Sequence, residues 1–424
     1  MEKIILSIIM IITTGIIVQI LAKKYKLNKN QLVIFWMLVF FWTSISTIRA
    51  YRKLYVVAPI ELGGLGQSAI LAAQVTSAYG LISCIIRLPL FFLTDILQKR
   101  KIFIQIAIFC IMLTSFSVYL KPSVNTLYYS SLAMGLCASM LAIFNVMFSE
   151  TFSESNASVS ASILSVAPLL AEFLAAPIQY IGTYSQVKMY SLLWLFSGLL
   201  AIITFTLSIF IKEIKTNSKF TKEKVSLVLA NKKFLIICFV AIIISFVKFS
   251  TSGPNMIVYA SKYLHMPSIM LAYLDTMFAT PQLIASVLVG TYFKDKFGIE
   301  KTLLLSLSSF LLFYLIIIFT NNPYLAFFGY IFNGFGYGGT YISLMSIALQ
   351  YFEQKNRNIS MGIFQGFFAF GIFFGDRVYI WLAKALKVNP KNIFILVTIV
   401  TIISIIIVFI KLVMKQGVKN VENW

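Results

Sequence analysis

The chain has 424 residues, of which 59% are hydrophobic and only 12% are charged, and its mean hydropathy is +0.90. A soluble protein cannot bury that much apolar surface, so the composition excludes soluble globular classes and indicates a polytopic membrane protein. The net charge of +21 is accounted for by basic loops on the cytoplasmic side of a membrane, and we therefore predict no nucleic-acid partner.

Cysteine and histidine usage argues against metal and catalytic chemistry. The four cysteines all fall in apolar segments without paired spacing, which favours small packing residues over a zinc site or a disulfide framework. There is one histidine, His265, and the sequence contains neither a P-loop nor a zinc-protease motif. We expect no cofactor, no metal and no enzymatic activity.

In chain order, apolar runs predict thirteen transmembrane helices, since a spanning helix needs about 20 apolar residues. They cover 4–22, 33–60, 68–94, 102–120, 125–148, 159–182, 189–211, 234–259, 268–292, 302–320, 324–350, 359–384 and 392–411. The first is predicted to be an extra anchor helix, because KKYKLNKN follows it in place of a small-residue cleavage site.

The charges of the loops predict the orientation. One alternating set of loops carries 22 Lys and Arg residues, whereas the opposite set, with the N-terminus, carries seven. The positive-inside rule assigns the first set to the cytoplasm, which places the N-terminus outside and the C-terminus inside. We expect a multi-pass protein of the plasma (inner) membrane that works as a monomer in the lipid bilayer.

The longest polar stretch, 212–233, divides the chain into comparable halves. We predict an anchor with a basic loop at 1–30, a six-helix bundle at 31–211, a cytoplasmic linker at 212–233, and a second six-helix bundle with a basic tail at 234–424. The anchor is the thirteenth helix.

The two halves share an acidic-basic loop after their second helix. It reads LTDILQKRK at 93–101 and YFKDKFGIEK at 292–301, and its two aspartates are 200 residues apart. Together with the helix count and the central linker, this repeat resembles the signature loop of the major facilitator superfamily of secondary transporters. A third echo, YFEQKNRNISMG at 351–362, is similar to the entry to that family's eleventh helix.

The resemblance implies an all-α fold of two six-helix bundles in a pseudo-two-fold repeat, with the loops acting as gates. A carboxylate at a helix end can pair with basic residues or a helix N-terminus, and breaking such contacts lets one bundle rock against the other. Arg87, near the cytoplasmic end of its helix, is a further candidate gate residue. The predicted gating residues are Arg87, Asp95, Lys99, Arg100, Asp295, Lys296, Gly298 and Lys301. The first copy of the loop lacks the family's glycines.

Nine ionisable residues fall within the predicted helices, where each charge is costly and is usually functional or paired. They are Arg49, Arg52, Lys53, Arg87, Lys248 and Arg377 against Glu172, Asp275 and Asp376. The surplus of three positive charges has to be balanced by water, by backbone carbonyls or by an anionic substrate.

The stretch STIRAYRKLY at 46–55 lies near the middle of the predicted helix 33–60. Arg49, Arg52 and Lys53 have the spacing i, i+3, i+4 and would share one face with Ser46, which would line a cavity. Tyr55 could line the same cavity. Lys248 lies near the middle of the equivalent helix of the second half.

These cations refine the resemblance. Arg52-Lys53 precede Pro59, and Lys248 precedes Pro254, a pattern similar to that of the organophosphate:phosphate antiporters and organic-anion transporters of the superfamily. The resemblance implies a paired-cation site for phosphate or carboxylate.

The acids leave two roles open. Glu172, between two prolines, could carry a coupling proton or could be the salt-bridge partner of Arg49 or Arg52. Asp376 and Arg377 are predicted to form an interhelix lock, with Asp275 as a possible partner.

The leading hypothesis is a secondary active transporter of a small organic anion, coupled to a proton or another ion. One alternative is a proton-coupled exporter of drugs or lipophilic compounds, with the arginines held in salt bridges. The other is a transport-inactive receptor or lipid-handling protein of the same fold.

Overall fold

The computed structural model describes residues 2–97, 99–152, 163–164, 166–213, 222–352, 354–385 and 390–413, and these residues are almost entirely α-helical. The helices up to the central linker are α1 (Glu2–Lys24), α2 (Lys29–Arg49), α3 (Arg52–Val57), α4 (Ala69–Leu97), α5 (Arg100–Leu120), α6 (Val124–Ser149), α7 (Ala167–Thr183) and α8 (Tyr190–Ile209).

The remaining helices are α9 (Lys222–Leu229), α10 (Lys232–Thr251), α11 (Pro254–Lys262), α12 (Ser268–Leu288), α13 (Lys294–Phe297), α14 (Ile299–Phe319), α15 (Pro323–Gln350), α16 (Gln354–Ala385) and α17 (Pro390–Val408). Two π-helical turns follow α12 and α17, at Val289–Phe293 and Phe409–Val413.

The predicted all-α membrane fold is confirmed. In the described parts of the chain, nine helices are long and apolar enough to cross a membrane. Their outer faces carry many exposed isoleucines, leucines and phenylalanines, the arrangement expected where the solvent is lipid.

Two predicted helices are interrupted in their C-terminal parts. The segment predicted as 33–60 is α2 and α3, separated by a turn at Ala50-Tyr51. The segment predicted as 234–259 is α10 and α11, separated at Ser252-Gly253. In the second case the cause is visible in the sequence, because a proline follows a glycine whose φ is +57°. Both segments remain candidate membrane spans, at Lys29–Val57 and Lys232–Lys262, but each helix is broken rather than continuous.

Two further segments differ from their predicted descriptions. The predicted linker 212–233 contains the short helix α9, which was not predicted because the segment is polar and rich in lysine. Part of the predicted span 159–182, residues 159–162 and 165, lies outside the described residues, and the described part contains α7.

The contacts divide the chain into two compact units. The first unit comprises 1–220 together with 267–276, and the second comprises 221–266 and 277–424. The first half of α12 thus groups with the first unit. The domain boundaries stated from the sequence stay a prediction.

The extra helix α1 packs against α7 within the first unit. Only its inner stripe is enclosed: Thr14 and Val18 are buried, and the Thr14 hydroxyl donates to the Met10 carbonyl at 2.8 Å. The opposite face is exposed isoleucine. This helix therefore lies beside the element that carries Glu172.

The loop after α3 is folded tightly onto the end of that helix. The N–H groups of Leu65, Gly66 and Gln67 donate to the carbonyls of Tyr55, Ala58 and Val56, at 2.9, 2.8 and 2.9 Å. These bonds satisfy carbonyls that the helix C-terminus leaves open.

A second loop closes on the first at Gly63. The Lys188 N–H donates to the Leu62 carbonyl at 3.0 Å, and burial lowers the pKa of the Lys188 ammonium. Gly63 has φ = +86°, and a Cβ on it would overlap the Lys188 carbonyl oxygen. This close approach requires glycine.

Gly63→Ala is expected to destabilise the protein by about 2–4 kcal/mol, from left-handed backbone strain together with overpacking. Thermal unfolding in detergent measures the change. Gly15→Ala is the control, because nothing lies within 4 Å of the position that its Cβ would take, and alanine favours a helix. Equal melting temperatures for the two variants would contradict the close approach.

Candidate functional site

The structure brings Arg49 and Glu172 together in the first unit. Arg49 Nη2 lies 3.0 Å from Glu172 Oε1, and the same oxygen accepts a hydrogen bond of 2.7 Å from the Ser46 hydroxyl. Ser46 and Arg49 lie three residues apart at the C-terminal end of α2, on the same face of the helix. Both side chains therefore reach Glu172 on α7. Glu172 is buried and its charge is met by a cation and a hydroxyl.

A second carboxylate lies on the same guanidinium. Asp275 Oδ2, near the middle of α12, is 3.6 Å from Arg49 Nη2. The side chains of Glu172 and Asp275 are each 7% exposed, whereas that of Arg49 is 25% exposed. Asp275 Oδ2 is buried and accepts no hydrogen bond from the described residues. Ser46, Arg49, Glu172 and Asp275 are called the Arg49 cluster below.

The Arg49 cluster has one positive and two negative formal charges. One carboxylate neutralises Arg49, and the second leaves the cluster with one excess negative charge. Such an excess is costly for buried groups. The arrangement can accept one proton without leaving a bare cation, and it exposes the arginine rather than the acids.

Gln179 orients the end of α2, and sequence reasoning missed it. Its side-chain amide donates to the Ser46 carbonyl at 2.8 Å, and Gln179 is buried. It lies seven residues after Glu172, which places both on one face of α7. A polar pair at that spacing in an otherwise apolar helix was the available signal.

Arg52 has partners of its own. Its Nε donates to the Arg49 carbonyl at 3.0 Å, its Nη1 lies 3.2 Å from the Ser131 hydroxyl, and its guanidinium covers the Tyr79 ring at 5.1 Å. The Arg49 carbonyl is available because the helix is interrupted there. Arg52 and Lys53 are both buried, at 3% and 4% exposed.

Tyr55 lies in an aromatic contact rather than beside these cations. Its ring centroid is 5.2 Å from that of Tyr190 and 5.3 Å from that of Trp194, and Tyr55 is buried. The Trp194 indole donates to the Ser130 hydroxyl at 3.0 Å. These rings support α3, the segment that carries Arg52 and Lys53.

In the second unit, Lys248 is surrounded by aromatic rings. Its Nζ lies 4.1 Å from the ring centroid of Phe249, 5.0 Å from that of Phe278 and 4.5 Å from that of Tyr337. Lys248 is half-buried.

In the first of the two predicted gating loops, Arg100 and Lys101 are bound by two acids that sequence reasoning did not select. Arg100 Nη1 lies 2.6 Å from Glu150 Oε2. Glu213 Oε1 accepts the backbone N–H of Arg100 and, at 3.2 Å, that of Lys101. A carboxylate at the N-terminus of α5 is favoured by its free N–H groups and by the helix dipole. Both acids flank predicted helices, where acidic residues are ordinary.

The other predicted gating residues are placed as follows. Asp95 belongs to α4, but its side chain lies outside the described residues, and Lys99 is exposed just before α5. Arg87 Nη2 lies 3.4 Å from the Ala138 carbonyl. These placements leave the gating roles as predictions.

In the second copy of the loop, Asp295 and Lys296 lie in α13 and Gly298 ends it with φ = +78°. Lys296 Nζ is 3.0 Å from the Tyr292 hydroxyl, and Lys301 lies in the first turn of α14 and is exposed.

The predicted lock of Asp376 and Arg377 also stays a prediction. The Asp376 side chain lies outside the described residues, and the Arg377 guanidinium covers the Phe373 ring at 4.9 Å. Asp275, named as a possible partner of this lock, lies in the Arg49 cluster.

Comparison with known proteins shows what this chain resembles. Residues 237–422 match the family model described as Major Facilitator Superfamily. A search of curated proteins gives no match.

Solved structures that resemble the chain include nucleoside transporter NupG, with a TM-score of 0.73 at 11% identity over 90% of this chain and 99% of that one. A POT family transporter in complex with 5-aminolevulinic acid has a TM-score of 0.72 at 13% identity over 90% and 96%. D-xylose-proton symporter has a TM-score of 0.67 at 13% identity over 89% and 96%. At such identities the likeness establishes the fold, and the resemblance stated from the sequence is confirmed.

Proposed function

We propose that this chain, which has the major facilitator fold and matches that superfamily over residues 237–422, is a proton-coupled secondary transporter of a small organic anion. Alternating access of the two halves of such a fold moves the substrate. The observation that carries the proposal is the position of Arg49, a partly exposed guanidinium beside two buried carboxylates.

The Arg49 cluster supports coupling to a proton. With both carboxylates ionised, a substrate anion that approaches Arg49 meets a group already carrying one excess negative charge. Protonation of Glu172 or Asp275 removes that excess and releases guanidinium donors, which match a carboxylate or phosphate in geometry. Anion and proton then occupy the cluster together, so that their binding is mutually favourable.

The surrounding charge supports an anionic substrate. Arg52 and Lys53 are buried within two turns of Arg49, whose two acidic partners are Glu172 and Asp275. Within the predicted helices six basic residues stand against three acidic ones, and this surplus of positive charge favours an anion over a cation as substrate.

One observation favours a second candidate, a proton-coupled exporter of cationic or lipophilic compounds. The close contact of Arg49 with Glu172 holds the arginine in a salt bridge, and a substrate cation could replace it. In that case Glu172 and Asp275 would be the residues that select the substrate.

The membrane location and the orientation of the chain are proposed from the charges of the loops. The excess of Lys and Arg on one set of loops supports an N-terminus outside, a cytoplasmic C-terminus and a location in the plasma (inner) membrane. A monomer is proposed as the working unit.

Thermal stabilisation by phosphate esters, carboxylates, amino acids and lipophilic cations, at mildly acidic and mildly alkaline pH, tests the function. We expect one class of anion to stabilise the wild type. If one proton binds with the anion, its affinity falls about tenfold for each unit by which the pH rises. Glu172→Gln mimics the protonated carboxyl and is expected to bind the anion without that pH dependence.

Glu61→Gln is the matched control, because Glu61 is exposed in the loop after α3. Retention of the wild-type pH dependence in Glu172→Gln would contradict the coupling role of Glu172. Stabilisation by lipophilic cations alone would favour the exporter.

A further inference from the structure

We propose that Asp275 binds an ammonium group of the substrate, which makes the transported anion an acidic α-amino acid. The α-carboxylate of the substrate binds Arg49, and the ammonium on the next carbon binds Asp275. This inference rests on the proposed function, because it takes the group that binds Arg49 to be a carboxylate. It adds that a positive charge lies beside this carboxylate.

The two acids of the Arg49 cluster differ in their hydrogen bonds. Glu172 Oε1 accepts from the Ser46 hydroxyl at 2.7 Å and from Arg49 Nη2 at 3.0 Å. Asp275 Oδ2 is buried and accepts no hydrogen bond in the described parts of the chain, since its distance of 3.6 Å from Arg49 Nη2 is too long for one. A buried acceptor without a donor is costly, the more so when it is charged. Asp275 is therefore the acid that a donor on the substrate would satisfy.

An ammonium group suits this oxygen better than a neutral donor does. It carries three N–H groups and a full positive charge. Hydrogen bonds between a cation and a carboxylate are shorter and stronger than those between neutral groups. A hydroxyl on the substrate would supply a donor but would leave the charge of Asp275 opposed only by the distant contact with Arg49.

The formal charges of the cluster distinguish an amino acid from a simple anion. One cation and two acids give the empty cluster a charge of −1, and one coupling proton brings it to zero. A monovalent anion returns it to −1, whereas an α-carboxylate accompanied by its ammonium leaves it at zero. Unbalanced charge is costly in a buried site, so the cluster favours the amino acid. Because the ammonium requires an ionised Asp275, the coupling proton is carried by Glu172.

The separation of the charged atoms favours an α-amino acid over one with a longer spacing. Arg49 Nη2 and Asp275 Oδ2 lie 3.6 Å apart. Two bonds separate the nitrogen from the carboxylate carbon of an α-amino acid, and these atoms are about 2.5 Å apart. The Arg49 side chain is 25% exposed and that of Asp275 is 7% exposed. The substrate carboxylate thus meets Arg49 first and draws the guanidinium from Asp275, and the ammonium takes its place.

A second acidic group on the substrate keeps it anionic. An α-amino acid with one carboxylate has no net charge, whereas one with an acidic side chain has a net charge of −1 at neutral pH. The surplus of basic over acidic residues within the predicted helices favours a substrate of net negative charge. The inferred class is therefore the acidic α-amino acids.

Isosteric pairs of acids isolate the contribution of the ammonium. L-Aspartate and 2-methylsuccinate differ only in the replacement of the ammonium by a methyl group, as do L-glutamate and 2-methylglutarate. Binding is measured as thermal stabilisation of the full chain in detergent near neutral pH, where the carboxylates of every probe are ionised. We expect each amino acid to bind at least about tenfold more tightly than its methyl analogue, the effect of one hydrogen bond between charged groups. L-Asparagine, which lacks the second charge, is expected to bind more weakly than L-aspartate.

Variants assign the preference to Asp275. Asp275→Asn is expected to bring the ratio within each pair close to one, because the amide carries no charge for the ammonium. Asp275→Glu, which keeps a carboxylate, is expected to retain part of the ratio. Glu172→Gln is expected to preserve it, since the ammonium binds the other acid. Glu61→Gln, at an exposed position, is the matched control, and the melting temperature of each empty variant shows that it is folded.

The failure of this inference differs from failure of the proposed function. If both members of a pair stabilise the wild type equally, and more strongly as the pH falls, the anion transporter stands and Asp275 binds no ammonium. A ratio that persists unchanged in both Asp275 variants also overturns the assignment. If a phosphate ester or a simple carboxylate stabilises the protein and no amino acid does, or if L-asparagine binds as tightly as L-aspartate, the inferred class is wrong. If no anion stabilises the protein, both proposals fall.

Discussion

Arg49→Gln is expected to remove anion-induced stabilisation and also to destabilise the empty protein. Loss of a charged partner from a buried site weakens binding by roughly 2–5 kcal/mol, which puts the affinity below the range of a practical titration. The empty protein loses the cation that opposes Glu172 and Asp275, and breaking a buried ion pair costs about 3–5 kcal/mol. Because a quarter of the Arg49 side chain is exposed, the lower end is expected.

The two effects can be separated by adding Glu172→Gln. The double variant no longer holds two buried carboxylates without their arginine, so it is expected to melt above Arg49→Gln alone while still failing to bind the anion. Arg49→Lys keeps the charge but loses the planar fork, and we expect partial binding. If the double variant is less stable than Arg49→Gln, Arg49 does not stabilise the protein by neutralising Glu172.

The second large effect is expected at the loop before α5, the first of the two predicted gating loops. Arg100→Ala is expected to lower the free energy of unfolding by about 3–5 kcal/mol, because the Glu150 carboxylate would be left without its cation. The side chains of Arg100 and Glu150 are 3% and 11% exposed, and their atoms are 2.6 Å apart. Unfolding by heat and by denaturant in detergent measures the loss.

Two companions of Arg100→Ala identify the cause. Lys99→Ala removes an exposed charge from the adjacent position and is expected to change stability by less than about 0.5 kcal/mol. Glu150→Gln in the Arg100→Ala background should recover part of the loss, since the remaining amide carries no charge. A similar loss in Lys99→Ala would show that the whole loop, rather than the Arg100–Glu150 pair, supports the fold.

Most helices were predictable because each membrane span requires a run of about 20 apolar residues, which is visible in the sequence. Sequence reasoning missed two helix interruptions, of which only one carries a proline and a glycine. The interruption at Ser252-Gly253 has a Gly-Pro signal, whereas that at Ala50-Tyr51 has none. There the freed Arg49 carbonyl is satisfied by the Arg52 side chain, and such compensation depends on three-dimensional contacts.

The sequence identified the charged residues of the candidate site but not which of them contact each other. Burying charge is costly, so Arg49, Glu172 and Asp275 were all identifiable as unusual residues. Glu172 follows Arg49 by 123 residues, and no periodicity links such positions. The acids that hold Arg100 could not be singled out, because Glu150 and Glu213 flank predicted helices where charge is unremarkable.

The central claim is that one proton moves with each anion. Protein reconstituted into vesicles containing a pH-sensitive dye tests it most directly, with the stabilising anion added outside. The account predicts a change of lumenal pH that requires the anion and is absent in Glu172→Gln, although that variant still exchanges anion for anion. Anion uptake without any change of lumenal pH in the wild type would contradict proton coupling.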